Sequence, residues 1–193
     1  VYMWKEFRPT IFFLLKFFGV YLGLSWVYGV FIAGFDTQAP PQVDPITREV
    51  AQHCTKTANL AGYEIWVEEN DHLKTSSAPE QTYDSIWLDG IYAISIEEGC
   101  NGINIMILFL AFVIGFGGKL INILVFIPLG LVFIHLANIG RLILLSLLNV
   151  EFNGNGFHFF HKYGFTAFIY LAVLLLWYLW VMKFNGRKGS KAA

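Results

Sequence analysis

Charge is sparse in this 193-residue chain: Asp, Glu, Lys and Arg make up 14% of it, against 56% hydrophobic residues. An ordinary soluble domain carries about a quarter charged residues, so with a mean hydropathy of +0.55 the chain is excluded from that class. Acids are almost missing from most of its length, since only Glu6 and Glu151 fall outside residues 36–98. Cysteine is scarcer still: Cys54 and Cys100 allow at most one disulfide. No internal repeat is evident, and no small-residue cleavage site closely follows the first apolar run, which therefore reads as a retained helix rather than a typical signal peptide.

What is present is apolar sequence in runs long enough to span a bilayer, for which about 17–25 residues are needed. Ile11 to Phe35 is the first, ended by Asp36 and Pro40-Pro41. The long tract from Ile103 to Lys183 is broken by Gly117-Gly118-Lys119 and by Glu151 to Lys162, leaving spans at Asn101 to Phe116, Leu120 to about Asn138, and Gly164 to Met182. Lys and Arg favour the cytoplasmic side. Lys5, Arg8, Lys16, Lys119 and the tail bases Lys183, Arg187, Lys188 and Lys191 then put both termini inside, while twelve acids put residues 36–98 outside. The expected fold is mostly α: a polytopic membrane helix bundle of about four transmembrane helices, termini cytoplasmic, with a small extracytoplasmic α/β segment. The expected divisions are a transmembrane helix over 1–35, an acidic outer segment over 36–99, transmembrane helices over 100–183 and a basic tail over 184–193.

The outer segment has a legible order. Pro45 to Leu60 suits an amphipathic helix with Gly62 as its stop, and Tyr63 to Glu68 alternates as a strand does. Ser85 to Leu88 and Ile91 to Ile96, joined by Asp89-Gly90, read as a hairpin, because Asp-Gly supplies the positive φ of a tight primed turn. The second strand leads directly into Glu97-Glu98-Gly99-Cys100-Asn101-Gly102.

Cys100 therefore stands at a polar-to-apolar boundary, with Gly99 and Gly102 permitting close backbone approach and a helix expected to open there. One reading makes it a nucleophile; another makes it a packing residue or the disulfide partner of Cys54 in an oxidising outer compartment. Arg141, at the expected outer end of an apolar span, reads either as an interfacial anchor or as a functional cation, with Asn138 one turn earlier to orient it. His158 and His161 lie in an aromatic and basic run, Phe157 to Phe165; as a pair without thiol or carboxylate help they make a poor metal site, whereas one histidine at the outer mouth can serve a cysteine as proton carrier. His135 can pack or bond Asn138, and His53 and His72 show no constellation. The charge map brings Cys100, Arg141 and His161 to one membrane surface from three spans.

These residues resemble the exosortase and archaeosortase family of membrane-embedded cysteine transpeptidases. The resemblance rests on Cys100-Asn101-Gly102 opening one span, Asn138-Ile139-Gly140-Arg141 near the outer end of the next, and His161-Lys162-Tyr163-Gly164-Phe165 beginning the last, and it covers roughly residues 45–182. The chain looks like a minimal form similar to those of Bacteroidetes-type systems, with fewer spans before the cysteine than many members. The resemblance implies a bacterial cytoplasmic (inner) membrane protein that attacks C-terminal sorting signals, each a recognition motif, a transmembrane helix and a basic cluster, on the extracytoplasmic face. It assigns Cys100 as nucleophile, Arg141 to the carbonyl oxygen or thiolate and His161 to proton transfer, with Asn138, His158, Glu97, Glu98, Asn101 and Gly102 in support. Membrane-anchored protein substrates, lipids and a lipid or glycan amine acceptor are the implied partners; no cofactor, metal or nucleic acid is expected. Gly115, Gly117 and Gly118 offer small residues for docking a substrate helix. Two other readings stand beside this one: a non-catalytic envelope scaffold with a Cys54–Cys100 disulfide, and a haem or metal protein using His158 and His161.

Overall fold

The computed structural model describes residues 2–37, 42–71 and 83–184. The Pro40-Pro41 break, His72 and the basic tail beyond Phe184 lie outside them. Helix α1 (Tyr2–Asp36) is followed by α2 (Pro45–Leu60), strands β1 (Ile65–Asp71), β2 (Tyr83–Leu88) and β3 (Ile91–Ile96), a 3₁₀ turn (Glu98–Cys100), α3 (Ile103–Phe116) and α4 (Leu120–Glu151). A last helical run, Phe157–Phe184, comprises α5 (Phe157–Phe159), a π-turn (Phe160–Gly164), α6 (Phe165–Leu179) and a second π-turn (Trp180–Phe184). The fold is mostly helical with one small sheet, as the sequence predicts.

Among the described residues, three helices are long and apolar enough to cross a membrane: Phe7–Asp36, Leu120–Glu151 and Phe157–Phe184. The fourth expected span, Ile103–Phe116, is apolar but has only 14 residues, about 21 Å of rise. Two boundaries differ from expectation. Helix α4 does not end near Asn138 but continues unbroken to Glu151. The last run begins at Phe157 rather than Gly164, so the expected break over 151–162 shrinks to the turn that follows Glu151. The physical reason is tertiary: beyond Asn138, α4 buries Ile139, Leu142 and Leu145, and buried Ser146 returns its hydroxyl to the Leu142 carbonyl at 3.0 Å.

The chain divides into two compact units, one gathering residues up to Val27, Asn104–Ile134 and the chain from Tyr170, the other Tyr28–Ile103 and His135–Ile169. The first is helical, with a core of Phe109, Val113, Phe126, Ile134, Val173, Leu176 and Trp180. Its glycines mark close helix approach. A Cβ on Gly115 would stand 3.1 Å from the backbone of Phe17, and one on Gly130 would enter the buried ring of Phe109. Gly115 is thus spent on packing against α1, and is withdrawn from the small residues expected to receive a substrate helix.

The second unit holds α2, the sheet and all the candidate site residues. Asp44 caps α2 by accepting from the amides of Ile46 and Thr47 at 2.9 and 3.0 Å, with Pro45 in the first turn. The buried face of α2 is Thr47, Val50, Ala51, Cys54, Thr55 and Ala58, one apolar stripe at helical spacing. Asn59 then pins β1 by exchanging hydrogen bonds with both backbone groups of Ile65. The sheet is antiparallel in the order β1-β2-β3. The hairpin turn has φ of 51° at Asp89 and 77° at Gly90, the two positive values its dipeptide predicts. Ser85 faces Ser95 and Ile86 faces Ile94, with a register shift at Ile86/Trp87.

Candidate functional site

Cys100 does not open a helix. It ends the 3₁₀ turn Glu98–Cys100, its amide bonded to the Glu97 carbonyl at 2.8 Å, and α3 begins only at Ile103. The correction has a cause in Asn101, whose Oδ1 accepts from the Ile103 amide at 3.0 Å and so takes the helix-start donor. The Asn101 Nδ2 donates to the hydroxyls of Tyr28 at 2.6 Å and Thr47 at 2.9 Å. With Asn101 buried, these three bonds fix the backbone immediately after Cys100.

The other side of Cys100 is held by α4. Asn138, also buried, donates its Nδ2 to the Cys100 carbonyl at 2.8 Å. Gly102, at φ +84°, lies against the same side chain: a Cβ there would be 3.3 Å from Asn138. The Asn138 Oδ1 in turn accepts from Arg141 Nη1 at a long 3.5 Å, so Asn138 orients the arginine as its position one turn earlier predicts. Arg141 Nε is buried without a hydrogen-bond partner among the described residues, and the guanidinium retains donors.

His161 lies on the π-turn Phe160–Gly164, an insertion type found often at functional sites because it re-aims a side chain. Its ring stacks on Phe157, centroids 5.6 Å apart. Cys100 and His161 line one cavity of about 220 Å³, together with Leu142, Leu145, Asn149 and Phe157; the wall opposite is β3 from Tyr92 to Ser95. His161 and His158 are both exposed, but only His161 lines it. Arg141 lines a second, almost wholly apolar groove of about 300 Å³, with Ala137, Gly140, Gly164, Phe165 and Phe168. Glu97 stands just before the turn and Glu98 begins it, both largely exposed; partial desolvation of the Glu98 carboxyl first, then the nearby Asp36 and Asp44, pushes it above its ordinary value.

Both cysteines are free thiols. Cys54 is fully buried in the α2 core, and burial pushes its thiol up to about 12. At pH 8 its thiolate is roughly one part in ten thousand, so it is inert. Iodoacetamide applied to the folded protein at pH 8 is expected to modify Cys100, which lines a cavity, and leave Cys54 untouched, as peptide mass mapping would read. A Cys54–Cys100 disulfide predicts no modification of either.

Sequence reasoning missed several partners. Tyr28 lies inside the first apolar run, 73 positions from Asn101, and nothing local marks it. Asn149 was legible in principle, as an amide near the end of an apolar helix. His135 bonds not to Asn138 but to His53, 3.2 Å between Nε2 and Nδ1, and His53 also approaches Glu49 at 3.8 Å. No group of three His, Cys, Asp or Glu fit to hold a metal ion occurs among the described residues.

The described residues thus hold membrane-length helices, a cysteine and a histidine lining one cavity, and an asparagine bonded both to the Cys100 carbonyl and to Arg141. The chain matches the transmembrane exosortase family (Exosortase_EpsH) over residues 10–178 and belongs to it. Membership carries a membrane sortase-like processing function. No curated protein and no solved structure matches the chain.

Proposed function

We propose that the protein is a cysteine transpeptidase that cleaves C-terminal sorting signals of membrane-anchored proteins and transfers them to an amine of the envelope. The observation that carries this reading is the shared cavity of Cys100 and His161. His161 takes the Cys100 proton, and the sulfur attacks the scissile carbonyl carbon. The carbonyl oxygen becomes an oxyanion, for which Arg141 has unused donors. Collapse breaks the C–N bond; His161 returns its proton to the leaving amine, and a Cys100 thioester remains. A lipid or glycan amine then attacks the thioester, giving a new amide and the free thiol.

The reading puts this chemistry at the outer face of the bacterial inner membrane. It is supported by helix length, since Arg141 lies about 21 residues beyond Leu120, roughly 32 Å of rise against a hydrocarbon thickness of about 30 Å. Lys119 would then mark the cytoplasmic end. The substrate's own helix would dock in the apolar groove beside Arg141, where Ala137, Gly140 and Gly164 are small. The test is chemical: a substrate with the three-part C-terminal signal, co-expressed with the enzyme and quenched in acid, is expected to yield a covalent adduct on Cys100 released by neutral hydroxylamine. An adduct that hydroxylamine does not release, or that maps elsewhere, overturns the thioester.

A further inference from the structure

The strand that forms one wall of the Cys100 cavity has a hydrogen-bonding edge turned toward it. Among the described residues β3 is the outer strand of the sheet and pairs only with β2. The Ala93 carbonyl accepts from Asn149 Nδ2 at 2.5 Å, so it points away from β2 and toward α4. Counted from Leu88/Ile91, the hydrogen-bonded pair that closes the two-residue turn, with Ala93 the extra residue at the register shift, Ile94/Ile86 and Ile96/Asp84 are the next hydrogen-bonded pairs, so Ser95 opposite Ser85 turns its N–H and C=O to the outer edge. Asn149 and the β3 residues Tyr92 to Ser95 line the cavity that reaches Cys100 and His161. The Asn149 carboxamide is chemically a peptide group, and it holds Ala93 as the N–H of an added strand would.

We infer that the edge of β3 is the substrate cradle: the recognition segment of the sorting signal adds to Ala93–Ser95 as an extended strand, and Asn149 occupies that edge until it arrives. This rests on the reading of Cys100 as nucleophile. An extended chain is the form a scissile peptide must take to present its carbonyl, and main-chain pairing to a sheet edge supplies affinity while side chains supply selectivity. Strand β3 then does two things at once, since it grips the substrate and leads directly into the turn that ends at Cys100. Asn149 is here a binding residue rather than a catalytic one.

Proline tests the edge without breaking the ladder, because it is tolerated where the lost N–H faces away from the sheet. Ser95→Pro is expected to process a co-expressed protein bearing a recognition segment, an apolar helix and a basic cluster at least about tenfold more slowly than Ser95→Ala. Its Cys100 is expected to react with iodoacetamide, which needs no strand, within about twofold of the unaltered protein. Equal processing by the two variants overturns the inference. Should the proline disturb folding, hydrogen exchange decides: in Cys100→Ala bound to its uncleaved substrate, amides of residues 91–96 are expected to exchange roughly tenfold more slowly than in the free protein. A bound complex with unchanged exchange there overturns it as well. Processing that survives Cys100→Ala removes the transpeptidase reading itself, whereas a dead Cys100→Ala beside an unaffected β3 edge removes this inference alone.

Discussion

Cys100→Ala is expected to abolish processing, with a loss of at least about 10³-fold and accumulation of full-length substrate, read by immunoblot of a co-expressed protein carrying a C-terminal signal. The variant is a clean test because the hydrogen bonds that hold this position come from its backbone, and its side chain is only partly buried against the core. The Asn138 amide donates to the Cys100 carbonyl and the Cys100 amide donates to Glu97, and alanine keeps both bonds. Only the sulfur leaves. His161→Ala is expected to follow with a loss of about 10²–10⁴, while His158→Ala, which lies off the cavity wall, is expected to stay within a few-fold of the unaltered protein. Full processing by Cys100→Ala would sink the central claim, and an equal loss in both histidine variants would take the proton-carrying role away from His161.

The second large effect falls on Arg141. Loss of one oxyanion donor costs about 10²–10³ in rate, and Arg141→Ala is expected to lower kcat/KM by that factor with the folded protein intact. Its one side-chain hydrogen bond among the described residues is the long 3.5 Å contact to Asn138, so little stability rides on it. Arg141→Lys is the sharper experiment. A lysine keeps the charge but offers a point ammonium in place of a planar fork, and most of the loss is expected to persist. A lysine variant with full activity would show that charge alone suffices and that the geometry set by Asn138 is irrelevant.

Where local signals are strong, the sequence foretells the structure closely. Helix α2 begins and ends where Asp44-Pro45 and Gly62 say it does, and the Asp89-Gly90 turn has the backbone its residues require. The site was legible for a different reason: a thiol, a guanidinium and an imidazole are conspicuous against apolar sequence. What stayed hidden was whatever depends on distant pairing. The continuation of α4 past Asn138 follows from burial of Leu142 and Leu145 against α2 and the sheet, and a lone Arg141 reads as an ending when that burial is not visible. Cys100 was expected to start a helix because glycine and asparagine surround it; in the fold Asn101 takes the first amide of α3 and ties the turn to Tyr28 and Thr47. The expectation of two termini inside and a reactive face outside rests still on the charge map.

The unbroken course of α4 has a metric consequence. Asn138 and Asn149 are 11 residues apart on one helix, which places them about 20° apart around its axis and roughly 16 Å apart along it. One of them holds the carbonyl of Cys100 and the other holds that of Ala93. Extended chain covers about 3.3 Å per residue, so the interval corresponds to about five residues of peptide. A rigid rod with two marks on one side is a gauge, and under the proposed function α4 would set how far ahead of the cut a sorting signal carries its recognition motif.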